Sequence, residues 1–345
     1  MIISKQQLHQ LIKNKLHNAG LNENHADIVA DVLVHADMKG IHSHGAVRVE
    51  YYAERISKGG TNTHPKFTYQ ETGPCSAIFD GDNGAGHVAA KQAMEHAINM
   101  AQEKGIAVVG VRRIGHSGAL SYFVEQASAS GMIGISLCQS DPMVVPFGGS
   151  EVYYGTNPIA FSAPSADDKP ITFDMATTVQ AWGKILDARA KHSDIPVDEA
   201  GKPTCDPFAV KGLLPIAGPK GYGLMMMVDV LSGILLGLPF GKHVSSMYHD
   251  LTQGRELGQL HIVINPAFFT DADLFKKHIS QVMAELKSIK PAVGFEQVLY
   301  PGENSQLAAQ RSEKEGIEIV DEIYHYLNSD VLFNQSYDNK NPFAS

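Results

Sequence analysis

The fold is decided by residues 110–120, GVRRIGHSGAL. They follow residues 106–109, a short apolar run rich in β-branched side chains that predicts a buried strand. Residues 119–129 then place apolar side chains on one helical face, which predicts a helix. His116 thus lies at a strand-to-helix turn between glycines, which permit unusual backbone angles. Such a turn suits an acid/base group, but this stretch alone is better explained by a hydrogen-bonded loop histidine.

Composition excludes several classes of protein. The 345 residues are enough for two or three lobes with a substantial core. The formal charge of −9 lacks the basic footprint of a nucleic-acid-binding protein. Cys75, Cys138 and Cys205 are far apart and match no metal spacing, so they predict reduced thiols of a cytoplasmic protein. The N-terminus has no signal-peptide core.

One segment has nearly the length of a membrane span. Residues 221–241 contain a single charged side chain, Asp229. Its position near the centre, together with several glycines and Pro239, argues against a span. We therefore expect a helix buried inside an enzyme and no membrane partner.

The remaining elements predict a mixed α/β chain. Ser4 caps a first helix that ends at Gly20, and Asn22 or Asn24 caps a second that ends near Gly40. Strands are predicted at residues 76–80, 133–138, 159–164, 171–174 and 260–264, and further helices from about 87 to 104, 271 to 287 and 313 to 327. Residues 190–206 are polar and punctuated by proline, which predicts a surface flap.

The glycine-rich turn at residues 81–86 does not form a dinucleotide fingerprint. Its sequence, GDNGAG, has the spacing G-x-x-G-x-G instead of G-x-G-x-x-G. No convincing βαβ unit with a later acidic residue surrounds it. The sequence therefore predicts no Rossmann motif here.

A candidate clamp for a carboxylate follows the second helix. If a helix begins near Gly45, Arg48 and Tyr52 share one face, with Ser43 and His44 at its N-terminal end, where anions are favoured. Arg48 can hold a carboxylate through two parallel hydrogen bonds. An ordinary surface helix explains the same pattern. No acidic or cysteine ligand accompanies the histidines at a useful spacing, so a metal is not favoured.

Two further positions suit a ligand. Ser140 and Asp141 follow the strand at 133–138, and open α/β proteins bind ligands at the carboxyl ends of strands. Lys220 stands beside glycines at a helix start and suits a phosphate, although a solvated lysine explains it as well. If the strand of His116 and the next one are neighbours, Asp141 would share a cleft with His116 and either orient its imidazole or stabilise the imidazolium as it forms. We expect that imidazole to titrate near its ordinary pKa of about 6.5.

Six short motifs occur in order along the chain. They are GIHSHG at 40–45, GHSG at 115–118, GTNP at 155–158, DMA at 174–176, GPKGYG at 218–223 and PGE at 301–303. Together they resemble the type-2 malate/L-lactate dehydrogenase family over essentially the whole chain. The resemblance implies an α/β fold with a mixed-sheet NAD-binding domain without Rossmann topology, at residues 73–289 with the flap at 190–206. It also implies a helical lobe from residues 1–72 and about 290–345, and a homodimer whose second subunit helps to shape the active site.

The resemblance also implies residue roles. His116 corresponds to the acid/base, Arg48 to the carboxylate anchor with Ser43, His44 and Tyr52 nearby, and Asp141 to a residue beside the reacting centre. The cofactor contacts it implies are Ser140, Asp174, Met175, Ala176, Lys220, Pro301, Gly302 and Glu303. No metal is implied.

Within the family, residues 47–61, 138–154 and 218–260 are most similar to the branch that oxidises (S)-ureidoglycolate with NAD to oxalurate in allantoin degradation. Malate, L-lactate and diketogulonate remain open as substrates. From other classes, a metal hydrolase using His42, His44 and His116 and a non-catalytic binding protein remain open. One departure is that family members carry a tryptophan-containing piece between residues 196 and 197, which this sequence lacks.

Overall fold

A computed structural model describes residues 1–167, 169–179 and 210–338. Outside these residues lie the predicted flap at 190–206, which includes the position between 196 and 197 where the tryptophan-containing piece is missing, and Cys205. The described helices are α1 (Lys5–Ala19), α2 (Glu23–Met38), α3 (Val49–Ser57), α4 (Gly86–Lys104), α5 (Ser121–Ala129), α6 (Pro219–Ser232), α7 (Ala272–Ser288), α8 (Glu303–Glu315) and α9 (Asp321–Asn328). The described strands are β1 (Ile2–Ile3), β2 (Thr68–Gly73), β3 (Ser76–Asp80), β4 (Ile106–Ile114), β5 (Ile133–Cys138), β6 (Ile159–Ala163), β7 (Ile171–Met175), β8 (Leu257–Ile264) and β9 (Ile317–Glu318).

Local capping explains where the first two helices begin. The Ser4 hydroxyl accepts the Gln7 N–H at 3.2 Å, and the Gln7 side chain accepts the Ser4 N–H at 3.3 Å. Asn22 accepts the His25 N–H at 2.8 Å and so caps α2. Each cap satisfies a backbone donor that has no partner inside the helix. The predicted caps are confirmed.

The central sheet has seven strands in the order β2-β3-β4-β8-β5-β6-β7. Within the described sheet, β3 and β4 pair in parallel and every other pair is antiparallel. This mixed sheet confirms the predicted fold class without Rossmann topology.

The strand order corrects one expectation. β8 lies between β4 and β5 and runs antiparallel to both. The strands that precede His116 and Asp141 are therefore not neighbours. Their carboxyl ends lie at one edge of the sheet but are separated by two strand spacings, roughly 10 Å.

Two main clusters of buried side chains hold the molecule together. One joins α1, α2, α3 and α9 with the β1–β9 pair, so the two ends of the chain meet in it. The other fills the space between the sheet and helices α4 and α5. β2, from Thr68, already belongs to the large sheet. The division into lobes at residues 72 and about 290 stays a prediction.

Two predicted helices differ from the structure. The single final helix at 313–327 is wrong, because Gly316, at φ 92°, ends α8 and a short strand precedes α9. The buried helix at 221–241 is also wrong. α6 ends at Ser232, and an apolar face remains open around it, with Val230 41% and Leu235 59% exposed. Among the described helices, none combines the length and apolar character that crossing a membrane requires.

Candidate active site

The turn that carries His116 rests on a second glycine-rich turn. A Cβ on Gly86, the first residue of α4, would lie 2.1 Å from the carbonyl oxygen of Gly115. Only glycine permits this close approach of two backbones. The glycines at 81–86 therefore have a packing role beneath the His116 turn, which agrees with the rejection of a Rossmann motif.

The His116 imidazole is held from one side. Its Nδ1 lies 2.6 Å from the Tyr52 hydroxyl and also accepts the Gly118 N–H at 3.3 Å. A backbone N–H can only donate, so in the neutral ring Nδ1 is the acceptor and Nε2 carries the proton. No described residue bonds to Nε2, and the ring is half-buried. The structure thus leaves Nε2 for a substrate.

The surroundings keep this imidazole neutral. Burial is the main cause that lowers the pKa of His116 well below its ordinary value, and His44, Arg48, His87 and Arg255 lower it further. The expected titration near pH 6.5 is therefore wrong. Burial also raises the pKa of Tyr52, so its hydroxyl stays protonated.

Arg48 lies at the end of a short 3-10 turn, just before α3. The helix expected near Gly45 begins only at Val49. The Arg48 Nε donates to the Ser43 carbonyl at 2.7 Å, and Nη1 lies 3.9 Å from the Met247 sulfur. No described carboxylate pairs with Arg48, which suits a group that receives a substrate carboxylate.

His44 adds a second ring beside His116. The two rings stack with centroids 5.8 Å apart and an interplanar angle of 25°. The Ser43 hydroxyl lies 3.1 Å from His44 Nδ1. Burial, with a smaller effect from Arg48, lowers the pKa of His44 to about 4. Ser43, His44, Arg48, Tyr52 and His116 are therefore brought together as the sequence predicts.

Asp141 is placed differently from expectation. Its carboxylate binds the Arg255 guanidinium at 2.6 Å and accepts the backbone N–H of Met247. It makes no hydrogen bond to His116, whose ring is bonded by Tyr52 instead. The orienting role expected for Asp141 is corrected accordingly, because β8 separates the two strands.

Arg255 is a functional candidate that sequence reasoning missed. It is 2% exposed, donates to Ser245, and keeps a buried Nη1 without a partner among the described residues. Its charge contributes to the lowered pKa of His116. Its partner Asp141 is 114 positions away in the sequence, so no local sequence pattern predicts the pair.

Part of the predicted cofactor set lines one cavity. Asp174, Gly302, Lys39 and Ser121 surround an open space of about 510 Å³. The Asp174 carboxylate accepts the Ser121 N–H at 2.7 Å, and the buried Ser121 hydroxyl lies beside the same carboxylate. A carboxylate and a hydroxyl in one cavity fit the diol of a ribose.

A second part of the set forms a linked group of turns. The Ser140 hydroxyl lies 2.9 Å from that of Thr156, and the Thr156 carbonyl accepts the Thr177 N–H next to Ala176. The Thr177 carbonyl accepts the Ile216 N–H, which leads to the start of α6. Lys220 is exposed in the first turn of that helix.

The remaining predicted cofactor residues support the cavity. Met175 pairs with Ile159 at the end of β7. The Pro301 carbonyl accepts the Thr172 N–H at 3.3 Å, which fixes the turn before Gly302. Glu303 is buried and bound to Lys287, so it is already neutralised in this chain.

The alternative metal site does not assemble. His42 Nδ1 faces Asp37 at 3.0 Å and His44 Nδ1 faces Ser43. Among the described residues, the ligand atoms of His42, His44 and His116 do not all lie within 4.8 Å of one another.

Comparison with known proteins now decides the family. Residues 3–328 match the malate/L-lactate dehydrogenase family. The chain belongs to this family. The predicted membership is thereby confirmed, and the chain is a dehydrogenase.

Several relatives match along nearly the whole chain. The ureidoglycolate dehydrogenase (NAD(+)) of Escherichia coli strain K12 is 67% identical over 348 residues, with 100% of both chains covered. The L-sulfolactate dehydrogenase of Methanocaldococcus jannaschii is 39% identical, with 95% of each chain covered. The solved malate dehydrogenase of Pyrococcus horikoshii OT3 superposes with a TM-score of 0.88 at 37% identity, covering 95% of this chain and 94% of that one.

Proposed function

We propose that this dehydrogenase oxidises (S)-ureidoglycolate to oxalurate with NAD, a step of allantoin and purine nitrogen catabolism. The observation that carries the substrate is the 67% identity, over the full chain, to enzymes named ureidoglycolate dehydrogenase (NAD(+)). Malate and sulfolactate dehydrogenases are related at 39% or less. The site geometry supports the reaction class, because a neutral imidazole stands beside an arginine without a carboxylate partner.

In this mechanism, Arg48 holds the substrate carboxylate and directs the neighbouring hydroxyl toward His116 Nε2. When bound, NAD would supply the acceptor for the hydride on the carbon that carries the hydroxyl. The tautomer that the structure favours, with the proton on Nε2, serves the reverse direction. For oxidation, the ring proton moves to Nδ1, and His116 then takes the hydroxyl proton on Nε2. The Tyr52 hydroxyl can accept from Nδ1 or donate to it, so it supports both protonation states of the ring. In the reverse direction, Nε2–H returns the proton to the carbonyl oxygen.

A substrate panel tests the proposal. The formation of NADH is followed by absorbance. The substrates, at equal concentrations, are (S)-ureidoglycolate, malate, L-lactate and the alcohol that corresponds to diketogulonate. We expect the highest kcat/KM with ureidoglycolate and a marked preference for NAD over NADP. Higher kcat/KM with malate or lactate would reject the substrate, and the absence of turnover with all of them would reject the reaction.

The Asp174 carboxylate is expected to hold the cofactor ribose. Replacing it with alanine removes charge-assisted hydrogen bonds, each of which contributes about 1.5–3 kcal/mol. We therefore predict that D174A raises the KM for NAD by roughly tenfold or more. Steady-state kinetics at saturating hydroxy acid measure this KM. E322A, which removes an exposed carboxylate on α9, is the control, and equal KM values for D174A and E322A would contradict the assignment.

We also propose that the protein acts in the cytoplasm as a homodimer. The open apolar face around α6 includes side chains that are 40–59% exposed, namely Met226, Val230, Ile234, Leu235 and Phe240. Exposed apolar side chains grouped on and just after one helix favour association with a second copy. The described cysteines Cys75 and Cys138 are free, as suits a reducing compartment.

The oligomeric state is directly measurable. Light scattering after gel filtration at micromolar concentration is expected to give twice the 37.3 kDa of one chain. L235D, which places a charge on the apolar face, should shift the mass toward one chain. A wild-type protein with the mass of one chain would refute the dimer, and an unchanged dimer in L235D would place its interface elsewhere.

A further inference from the structure

A segment beyond the family match packs on the active-site lobe. The match to the family ends at residue 328, at the end of α9. Residues 329–338, which we term the C-terminal segment, continue across the same lobe. Leu332 and Tyr337 pack against its buried core, together with Tyr248. The segment therefore packs against the same buried core as the helix that carries Tyr52.

Hydrogen bonds attach the C-terminal segment to α3. The Glu54 side chain is completely buried and accepts the Ser336 hydroxyl at 2.5 Å and the Tyr337 N–H at 2.6 Å. Lys58 lies 2.8 Å from the same carboxylate. Burial alone would raise the pKa of Glu54, but these donors outweigh it and lower the pKa. The carboxylate is thus a fixed, ionised anchor.

The segment also contacts residues 248–251, between α6 and β8. Asp338 accepts the Leu251 N–H at 3.1 Å. The Tyr337 ring stacks on Tyr248, with centroids 6.4 Å apart and an angle of 22°, and meets Tyr51 edge-on at 6.1 Å. Tyr51 and Tyr248 also meet each other, with centroids 6.2 Å apart, so the three rings form one cluster.

Two short contact paths lead from Tyr337 to groups that face the substrate. Tyr51 packs against Tyr52 with centroids 5.4 Å apart, and Tyr52 holds His116. On the other side, Tyr248 directly follows Met247, whose sulfur lies against the Arg48 guanidinium. Displacement of Tyr337 would loosen both the anchor of the carboxylate and the support of the imidazole.

We propose that Tyr337 is a positioning residue, which fixes Arg48 relative to His116 by completing a cluster of three rings with Tyr51 and Tyr248, whose own centroids lie 6.2 Å apart. This rests on the proposed function, since it assumes that Arg48 binds the hydroxy acid and His116 moves its proton. Tyr337 does not touch the substrate in this assignment. It acts through the two tyrosines on which it packs.

The test compares Tyr337→Ala with Tyr337→Phe and Tyr324→Ala in the full-length protein. Y337A removes the ring and should lower kcat/KM for the preferred hydroxy acid by about 10- to 100-fold, because small misplacements of reacting groups have effects of this size. Y337F keeps the ring and should stay within about twofold of wild type. Y324A removes a tyrosine that packs on the same core and has no ring contact with Tyr51 or Tyr248, so its activity should be unchanged.

A separate readout distinguishes positioning from general loosening. The dissociation constant of NADH, measured by fluorescence, should be equal in wild type, Y337A and Y324A. Wild-type kcat/KM in a folded Y337A would overturn the proposal, as would an equal loss of activity in Y324A. If Y337A does not fold, Y337L takes its place and should show the same loss of kcat/KM, because leucine keeps the apolar bulk but not the flat ring.

Failure of the proposed function would look different. If wild type prefers malate or lactate to ureidoglycolate, the substrate assignment fails, but the ratio between wild type and Y337A is still measured on the preferred substrate. A loss of activity in Y337A on that preferred substrate supports the positioning role, whichever hydroxy acid wild type prefers.

Discussion

Replacing His116 with alanine is expected to lower kcat for alcohol oxidation by about 10²–10⁴-fold, the usual contribution of a positioned acid/base. The binding of NAD should be nearly unchanged, because the predicted cofactor cavity is lined by other residues, among them Asp174 and Gly302. Stopped-flow hydride transfer and NADH fluorescence titration measure the two quantities separately. Wild-type turnover in H116A would mean that this histidine is a structural loop residue.

The pH dependence gives a second test of the same assignment. Oxidation requires the neutral imidazole, which is present above the folded-state pKa and lost as the pH falls through it. Since burial lowers the pKa of His116 well below 6.5, kcat/KM should be flat through neutral pH and fall only in acid. In H116A the residual rate should lack this acid limb. A wild-type limb centred near pH 6.5 or above would contradict the structural environment.

The acid measurement needs a control for unfolding. Burial also lowers the pKa of His87 to about 3 and that of His261 to about 4. Such histidines are neutral in the folded protein and bind protons when it unfolds. Their contribution to the free energy of unfolding is therefore complete above about pH 6.5 and decreases as the pH falls below that value. Assays by brief pH jump, followed by return to neutral pH, separate reversible titration of His116 from loss of the fold.

Replacing Arg48 with lysine is expected to raise the KM for the hydroxy acid by roughly 10- to 100-fold, because a planar fork becomes a point charge. Arg48→Ala should have a larger effect, because no other arginine of the described site can take its place. Arg55 also lacks a carboxylate partner, but it already binds Tyr51 and Gln253. The KM for NAD should not change in either variant. Initial rates over a substrate range give both constants.

The control for Arg48 is a cation outside the site. Lys91 on α4 forms a surface pair with Glu95, so K91A should keep both KM values. An R48K variant with the wild-type KM for the hydroxy acid, or with a raised KM for NAD alone, would show that Arg48 does not anchor the carboxylate.

The sequence by itself determined the local elements and the family. Caps such as Ser4 and Asn22 act on backbone groups three residues away, so they are visible in a short window. The strand Ile133–Cys138 and the glycine-flanked His116 are local for the same reason. Glycine spacing excluded a Rossmann motif, and six ordered motifs indicated the family and the grouping of Ser43, His44, Arg48 and Tyr52.

The tertiary structure alone decided the strand order and the pairs built on it. β8, which enters the sheet more than a hundred residues after β5, separates the strands before His116 and Asp141. Asp141 therefore pairs with Arg255, and Tyr52 supports His116 from 64 positions away. Strand order and such distant pairs depend on how whole layers pack, and packing energy is summed over contacts that no short window of sequence contains.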